Sequence, residues 1–353
     1  MGSLRYLTAG ESHGPALTVI VEGLPAGLAV TPEHLGHELA RRRAGYGRGA
    51  RMRLEADELE ILGGIRHGIT LGSPVSIVIR NTEWEKWSDV MSPTTPKEEP
   101  KPLTRPRPGH ADLVGILKYG HRDARNVLER ASARETAART VAGTLARMLL
   151  AQIGVGFVSH VVDIGGVSTK SDEIPAPEDA ERIDNSPVRV FDPDAEAAMI
   201  DAIEAAKSDG DTLGGIFEVV AHGVPVGLGS YVHWDRKIDG RLAQALLSIN
   251  AMKAVAIGDG FDAHAQPGSL AHDEILWNED ESYHRASNRA GGVEGGVTTG
   301  DPLRVRVVMK PLSTLRKALR TVDIETKSEE VAIVERTDTC AVPSACVIGE
   351  AIV

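Results

Sequence analysis

Cysteine is scarce in this chain of 353 residues. There are two, Cys340 and Cys346, close together near the C-terminal end, and no metal-ligand spacing surrounds them. They read as reduced thiols of a cytosolic protein rather than as a disulfide or zinc framework. Long hydrophobic runs are missing as well. None approaches 18 apolar residues, and no signal peptide precedes Arg5, so a cytoplasmic protein with no membrane partner is expected. Positive charge is in deficit: 39 Lys and Arg stand against 50 Asp and Glu, for a net charge of −11. With a pI of about 5.6, a general nucleic-acid or membrane-surface binder is disfavoured. The Gly-x-Gly-x-x-Gly and Gly-Lys-Ser/Thr nucleotide fingerprints are absent too.

What remains is ordinary for a globular chain with a large core, at 42% hydrophobic and 25% charged residues. The length suits one large domain or two fused units. Against the acidic balance, arginines cluster locally, which points to a specific anionic site.

The densest cluster runs from Arg105 to Arg139. Arg105-Pro106-Arg107-Pro108-Gly109-His110-Ala111-Asp112 is a proline-stiffened loop that delivers one histidine beside arginines. An alanine-rich helix is expected next, N-capped by Asp123 and C-capped by Gly154. It would be about 30 residues, roughly 45 Å long. Arg130 and Arg134, four apart, would then share one face, with Ser132 near it. Guanidinium forks beside an imidazole suit a multiply anionic substrate whose leaving group needs a proton.

Other polar turns punctuate strand-like runs. Leu4 to Ala9 leads into Gly10-Glu11-Ser12-His13-Gly14, where two glycines suggest close backbone approach to a ligand. Thr31 and Pro32 open a helix that ends in Arg41, Arg42 and Arg43. The glycines around Arg48 suit a phosphate cradle of backbone N–H groups. Residues 81–108 are proline-rich with little periodicity and read as a lid or interface loop. Asp172 to Asp194 reads as a surface excursion, and Arg241 to Ala256 as a helix carrying Asn250 and Ala251.

The second half repeats the first. Gly23-Leu24-Pro25-Ala26-Gly27-Leu28 matches Gly223-Val224-Pro225-Val226-Gly227-Leu228. Gly63-Gly64-Ile65, Gly68, Thr70, Gly72 and Pro74 match Gly291-Gly292-Val293, Gly296, Thr298, Gly300 and Pro302. Two matches in register predict a single domain over 1–353 with two pseudo-repeats, at about 15–80 and 215–310.

Four of these stretches occur together and in order: the Ser12-His13 turn, the Arg107-to-Asp112 loop, Arg130-Ala131-Ser132-Ala133-Arg134, and Asn288-Arg289-Ala290-Gly291-Gly292. As a set they resemble the chorismate synthase family over essentially the whole chain. The resemblance implies an α+β fold, with helices between antiparallel sheets and a homotetramer. It implies a lyase that converts 5-enolpyruvylshikimate 3-phosphate to chorismate with reduced FMN, in a reaction that is redox-neutral overall. NADPH would enter only indirectly, through an external flavin reductant. Residue by residue, it implies that His13 adjoins the flavin, that His110 is the acid for the departing phosphate, and that Asp338 assists proton transfer. Arg42, Arg48, Arg107, Arg134 and Arg336 would bind substrate. Flavin contacts would come from Arg130, Ala131, Ser132, Asn250, Ala251, Gly295, Lys310, Pro311, Leu312, Ser313, Thr314 and Arg336. Ala131 and Leu312-Ser313 depart from the family's usual residues, and a last helix would begin near Val353. The alternative from another class is a phosphate-binding module without catalysis, which needs the arginines but not His13, His110 and Asp338.

Overall fold

The computed structural model describes residues 4–49, 57–171, 173–280, 282–334 and 337–353. Two antiparallel sheets form its outer layers. The first has strands in the order Arg5–Ala9, Ala16–Glu22, Val75–Arg80, Glu58–Gly63. The second runs Gly156–Ile164, Gly215–His222, Leu303–Met309, Met252–Ile257, with Val167–Ser168 added beyond Gly156–Ile164. Taken in chain order, both four-strand sets place their first, second, fourth and third strands side by side.

The same local bonds recur in both halves. Thr70 Oγ1 accepts the Leu28 N–H and donates to the Pro25 carbonyl, at 2.9 and 2.7 Å. Thr298 Oγ1 accepts the Leu228 N–H and donates to the Pro225 carbonyl, at 2.8 and 2.7 Å. Gly64 and Gly292 both have positive φ, and in each a Cβ would strike the carbonyl oxygen of the following loop's proline, Pro74 or Pro302. Only glycine fits there.

Helices fill the space between the sheets. Thr136–Ala151 lies against Ala16–Glu22, and Val342–Ile352 against Gly156–Ile164 and Gly215–His222, while Pro32–Arg43 touches both helices. Strand alternation supplies the apolar faces. Leu17, Val19 and Val21 point inward with Ile77, Ile79, Leu35, Leu39, Val141 and Leu145. Phe217, Val219, Val305 and Val307 pack with Ile203, Val342 and Cys346. Each such side chain contributes about 1.5–3 kcal/mol on burial. The two central helices meet at Gly143, where a Cβ would fall 1.9 Å from the Ala351 carbonyl oxygen. Both cysteines are buried and unbridged.

Three sequence expectations are corrected. The helix expected from Asp123 to Gly154 is broken: Arg125–Ala131 ends at Ser132, whose ψ of 143° is extended, and Thr136–Ala151 starts afresh after one 3-10 turn. Ser132 Oγ accepts the Arg134 N–H and starts that turn, as a local side-chain cap does. The helix expected at Arg241 to Ala256 is Ile238–Leu247, followed by the strand Met252–Ile257, because Met252 onward pairs with Leu303–Met309. Asp172 to Asp194 is not only a surface excursion: Ile183, Val188 and Val190 are buried. A helix occupies Val342–Ile352. Within 81–108 the one helical piece is Trp84–Trp87.

Candidate active site

A cavity of about 830 Å³ opens where the two halves meet, and four separate loops line it. The first carries His13. Gly10, at φ 100°, folds the chain so tightly that a Cβ would sit 2.3 Å from the Ala16 carbonyl oxygen. The turn is fastened to Glu129, which is 2% exposed. The Ser12 N–H donates to the Glu129 carbonyl, and the His13 N–H donates to its carboxylate at 2.9 Å. His13 Nδ1 lies 3.0 Å from both carboxylate oxygens. Trp87 stacks on the imidazole at 4.1 Å, and the Arg125 guanidinium lies over the Trp87 ring.

The second loop carries Arg107 and His110. Asp112 accepts from the Arg107 N–H at 3.0 Å, from Arg107 Nε at 2.9 Å, and from Arg107 Nη2 at 3.2 Å. His110 Nδ1 is 2.5 Å from Asp112 Oδ1. Arg107 Nη1 donates to Thr314 Oγ1, which ties this loop to the Lys310–Thr314 loop. Burial pushes the Asp112 carboxyl up, but hydrogen bonds from His110 and Arg107 outweigh it and hold the group well below the usual carboxylate range.

The third wall is arginine-rich. Arg42 is 3% exposed and donates to Thr136 Oγ1 and to the Ala133 carbonyl, each at 3.0 Å. Arg134 is held by Asp57 at 2.5 Å and Asn81 at 3.1 Å. Arg48 Nη1 lies 2.9 Å from Asp338 Oδ2, and the Gly49 N–H donates to Asp338 Oδ1 at 2.6 Å. That Gly49 donor, expected in a phosphate cradle, instead fixes Asp338.

The fourth wall is the fork between Asn250 and the Lys310–Thr314 loop. Asn250 Nδ2 donates to the Ala131 carbonyl at 2.9 Å. This orients its Oδ1, which is buried without a hydrogen-bond partner among the described residues. Lys310 Nζ donates to the Gly109 carbonyl; burial and Lys253 push its ammonium down from its ordinary range.

Of the residues expected at the site, His13, His110, Asp338, Arg42, Arg48, Arg107, Arg134, Ala131, Ser132, Asn250, Ala251, Lys310, Leu312, Ser313 and Thr314 all line this cavity. Three do not. Arg130 donates to the Thr8 and Gly10 carbonyls and to Thr8 Oγ1 instead. Because Ser132 breaks the helix, Arg130 and Arg134 do not share a face. Gly295 turns a separate hairpin, where its carbonyl accepts from Lys237 Nζ, and Pro311 lies off the wall between Lys310 and Leu312. Arg336 lies outside the described residues. Sequence reasoning passed over Glu129, Asp112, Thr136 and Arg316. Asp112 closes a quoted motif, where a carboxylate two residues beyond His110 was the available signal, and Glu129 immediately precedes another. Among the described residues no group of His, Cys, Asp and Glu is arranged to hold a metal, and no helix is long and apolar enough to cross a membrane.

Comparisons with known proteins fit this geometry. The sequence model of the family described as chorismate synthase matches residues 4–353. A chorismate synthase of Salinispora tropica is 58% identical over 99% of this chain and 91% of its own length. One from Geobacillus kaustophilus is 55% identical, with the same coverage of both chains. A solved structure titled as chorismate synthase superposes with a TM-score of 0.78 at 42% identity, covering 99% of this chain and 89% of that one. A match of this extent leaves no part of the fold or of the cavity outside it, and the chain belongs to the chorismate synthase family.

Proposed function

We infer that the cavity carries out the reaction of this family: 5-enolpyruvylshikimate 3-phosphate loses phosphate and a ring proton in a 1,4-elimination and becomes chorismate. The chain is thus a carbon–oxygen lyase of the shikimate pathway. Family membership over the whole chain gives no support to a binding module without catalysis. The observation that carries the residue assignment is convergence. Two histidines, an aspartate and the four expected arginines, from several parts of the chain, meet in one cavity, and a phosphate with two carboxylates needs several cations.

Arg42, Arg48, Arg107 and Arg134 would hold the anionic groups. Phosphate departs easily only when its charge is met and a proton is supplied, which is the work assigned to the arginines and His110. Asp338, fixed by Arg48 and Gly49, would handle the ring proton. The cavity also fits a flavin. The orphaned Asn250 Oδ1 is an acceptor waiting for a ring N–H, and Lys310, Ser313 and Thr314 suit a phosphate tail. Reduced FMN, when bound, supplies transient electron density that no side chain can. We place His13 beside that ring; Trp87, stacked on the His13 imidazole, would limit water on that side of it. The active form would be a cytoplasmic homotetramer fed with reduced flavin by an external reductant.

The test is an anaerobic assay of phosphate release with dithionite-reduced FMN. Stoichiometric conversion of substrate without net flavin oxidation is expected. Release of phosphate with oxidised FMN and no reductant would overturn the cofactor assignment.

A further inference from the structure

We propose that Asp112 is a positioning residue for His110: it fixes which ring nitrogen bears the proton and locks the imidazole to the Arg107 guanidinium, so that proton donor and anion contact form one rigid unit. This rests on the reading of His110 as the acid for the departing phosphate.

Asp112 is 1% exposed and is the first residue of the helix Asp112–Tyr119, so its carboxylate sits on a regular element and at the positive end of a helix. It receives three N–H groups from Arg107, one backbone and two guanidinium. The ionised group only accepts. His110 Nδ1, at 2.5 Å from Asp112 Oδ1, must therefore carry a proton, because two lone pairs at that distance repel. Arg107 Nη2 also approaches Nδ1, at 3.2 Å. A guanidinium only donates, so that approach is not a second hydrogen bond to a protonated Nδ1. It becomes one only if the proton leaves Nδ1. Asp112 thus sets the tautomer against Arg107, which alone would favour a bare Nδ1.

The consequence lies at the other nitrogen. With Nδ1 committed to Asp112, Nε2 is the ring nitrogen left for a ligand, and the side chain keeps 17% exposure toward the cavity. When the charged ring gives up its Nε2 proton, the neutral ring that results is already the Nδ1–H tautomer. No rotation or proton exchange need follow. In Asp112→Asn, the amide or Arg107 can donate to Nδ1, which favours the opposite neutral tautomer with its proton on Nε2.

The test uses the full-length protein labelled with ¹⁵N-histidine. The His110 ring signals are assigned by their loss in His110→Gln, and phosphate release is measured in single turnover with reduced FMN. The neutral ring of the parent protein should show the Nδ1–H tautomer, and Asp112→Asn should show Nε2–H. Asp112→Asn should lower the single-turnover rate by about 10²–10⁴, the worth of a correctly poised acid, with a much smaller change in substrate affinity. Asp112→Glu should restore part of the rate. A parent protein in the Nε2–H form would overturn the proposal with no variant needed. So would an Asp112→Asn rate within threefold of the parent while His110→Gln is inactive. If His110→Gln itself keeps its rate, it is the reading of His110 as the acid that fails.

Discussion

Thr70 and Thr298 hold the same place in the two halves, each bridging a leucine N–H to a proline carbonyl through one hydroxyl. Both are buried, at 1% and 3% exposure. We propose that the windows 15–80 and 215–310 descend from one duplicated unit. Thr70→Val and Thr298→Val should then destabilise the protein alike, each by about 1–3 kcal/mol for the unsatisfied backbone groups left behind. Denaturant unfolding of both variants checks this. A large cost at one site and none at the other would count against equivalent roles.

Arg134→Ala should act twice. Substrate affinity should fall by about 1.5–3 kcal/mol, the value of a hydrogen bond to a charged group. Stability should fall as well, because Asp57, 2% exposed at its side chain, loses its 2.5 Å partner and among the described residues keeps the more distant Arg43 at 3.5 Å. Calorimetric titration and thermal unfolding separate the two effects. Unchanged affinity in a folded variant would remove Arg134 from the anion site.

Asn250→Ala should weaken FMN binding by about 0.5–1.5 kcal/mol, the net worth of one hydrogen bond. Quenching of flavin fluorescence in the presence of substrate measures it. Identical binding by parent and variant would leave the orphaned Oδ1 without a flavin partner.

Glu350 predicts acid sensitivity. It is fully buried and receives Arg41 at both oxygens, Arg147 at 2.8 Å and the Ser159 hydroxyl at 2.6 Å. Burial pushes its carboxyl up, but Arg147 and Arg41 prevail and bring it down from 4.5 to about 2. A depressed folded value means stability that is present above the ordinary value and is lost as pH falls through the folded one. The contribution should therefore disappear between about pH 4.5 and 2. Glu350→Gln should be less stable at neutral pH by about 3–5 kcal/mol, as for a broken buried ion pair. Its stability should fall less steeply over that acid window. Equal slopes would contradict the assignment.

Much of this was legible in the sequence, for identifiable reasons. Thr31 and Pro32 start a helix as their chemistry requires. The glycine pairs of the two halves mark places where backbone meets backbone, and such constraints survive in the residue type. The histidine loops were legible because prolines and glycines bracket them. The break at Ser132 was not, since Ala131, Ala133 and their neighbours favour helix and only the tertiary bond from Ser132 to Ser12 and the local cap argue otherwise. The shared face of Arg130 and Arg134 fails for the same reason. Glu129 and Asp112 look like helix-surface acids until the fold buries them beneath the two histidines. The stack of Trp87 on His13 joins residues 74 positions apart, through a segment with no periodicity to read.

The contact at Gly143 has a reach beyond packing. The helices that touch there carry cavity residues toward their N-terminal ends, Thr136 on one and Ser344, Ala345 and Ile348 on the other. Since the Ala351 carbonyl leaves no space for even a methyl group at Gly143, any larger residue there would have to push apart two helices that also carry cavity residues. Mutations at this crossing would be remote-acting and conditional. They would loosen the grip on substrate at elevated temperature while leaving every substrate-facing group chemically intact. Suppressors of such mutations would be expected to map to the facing helix rather than to the cleft, so a genetic screen could read the architecture of this enzyme without touching its chemistry.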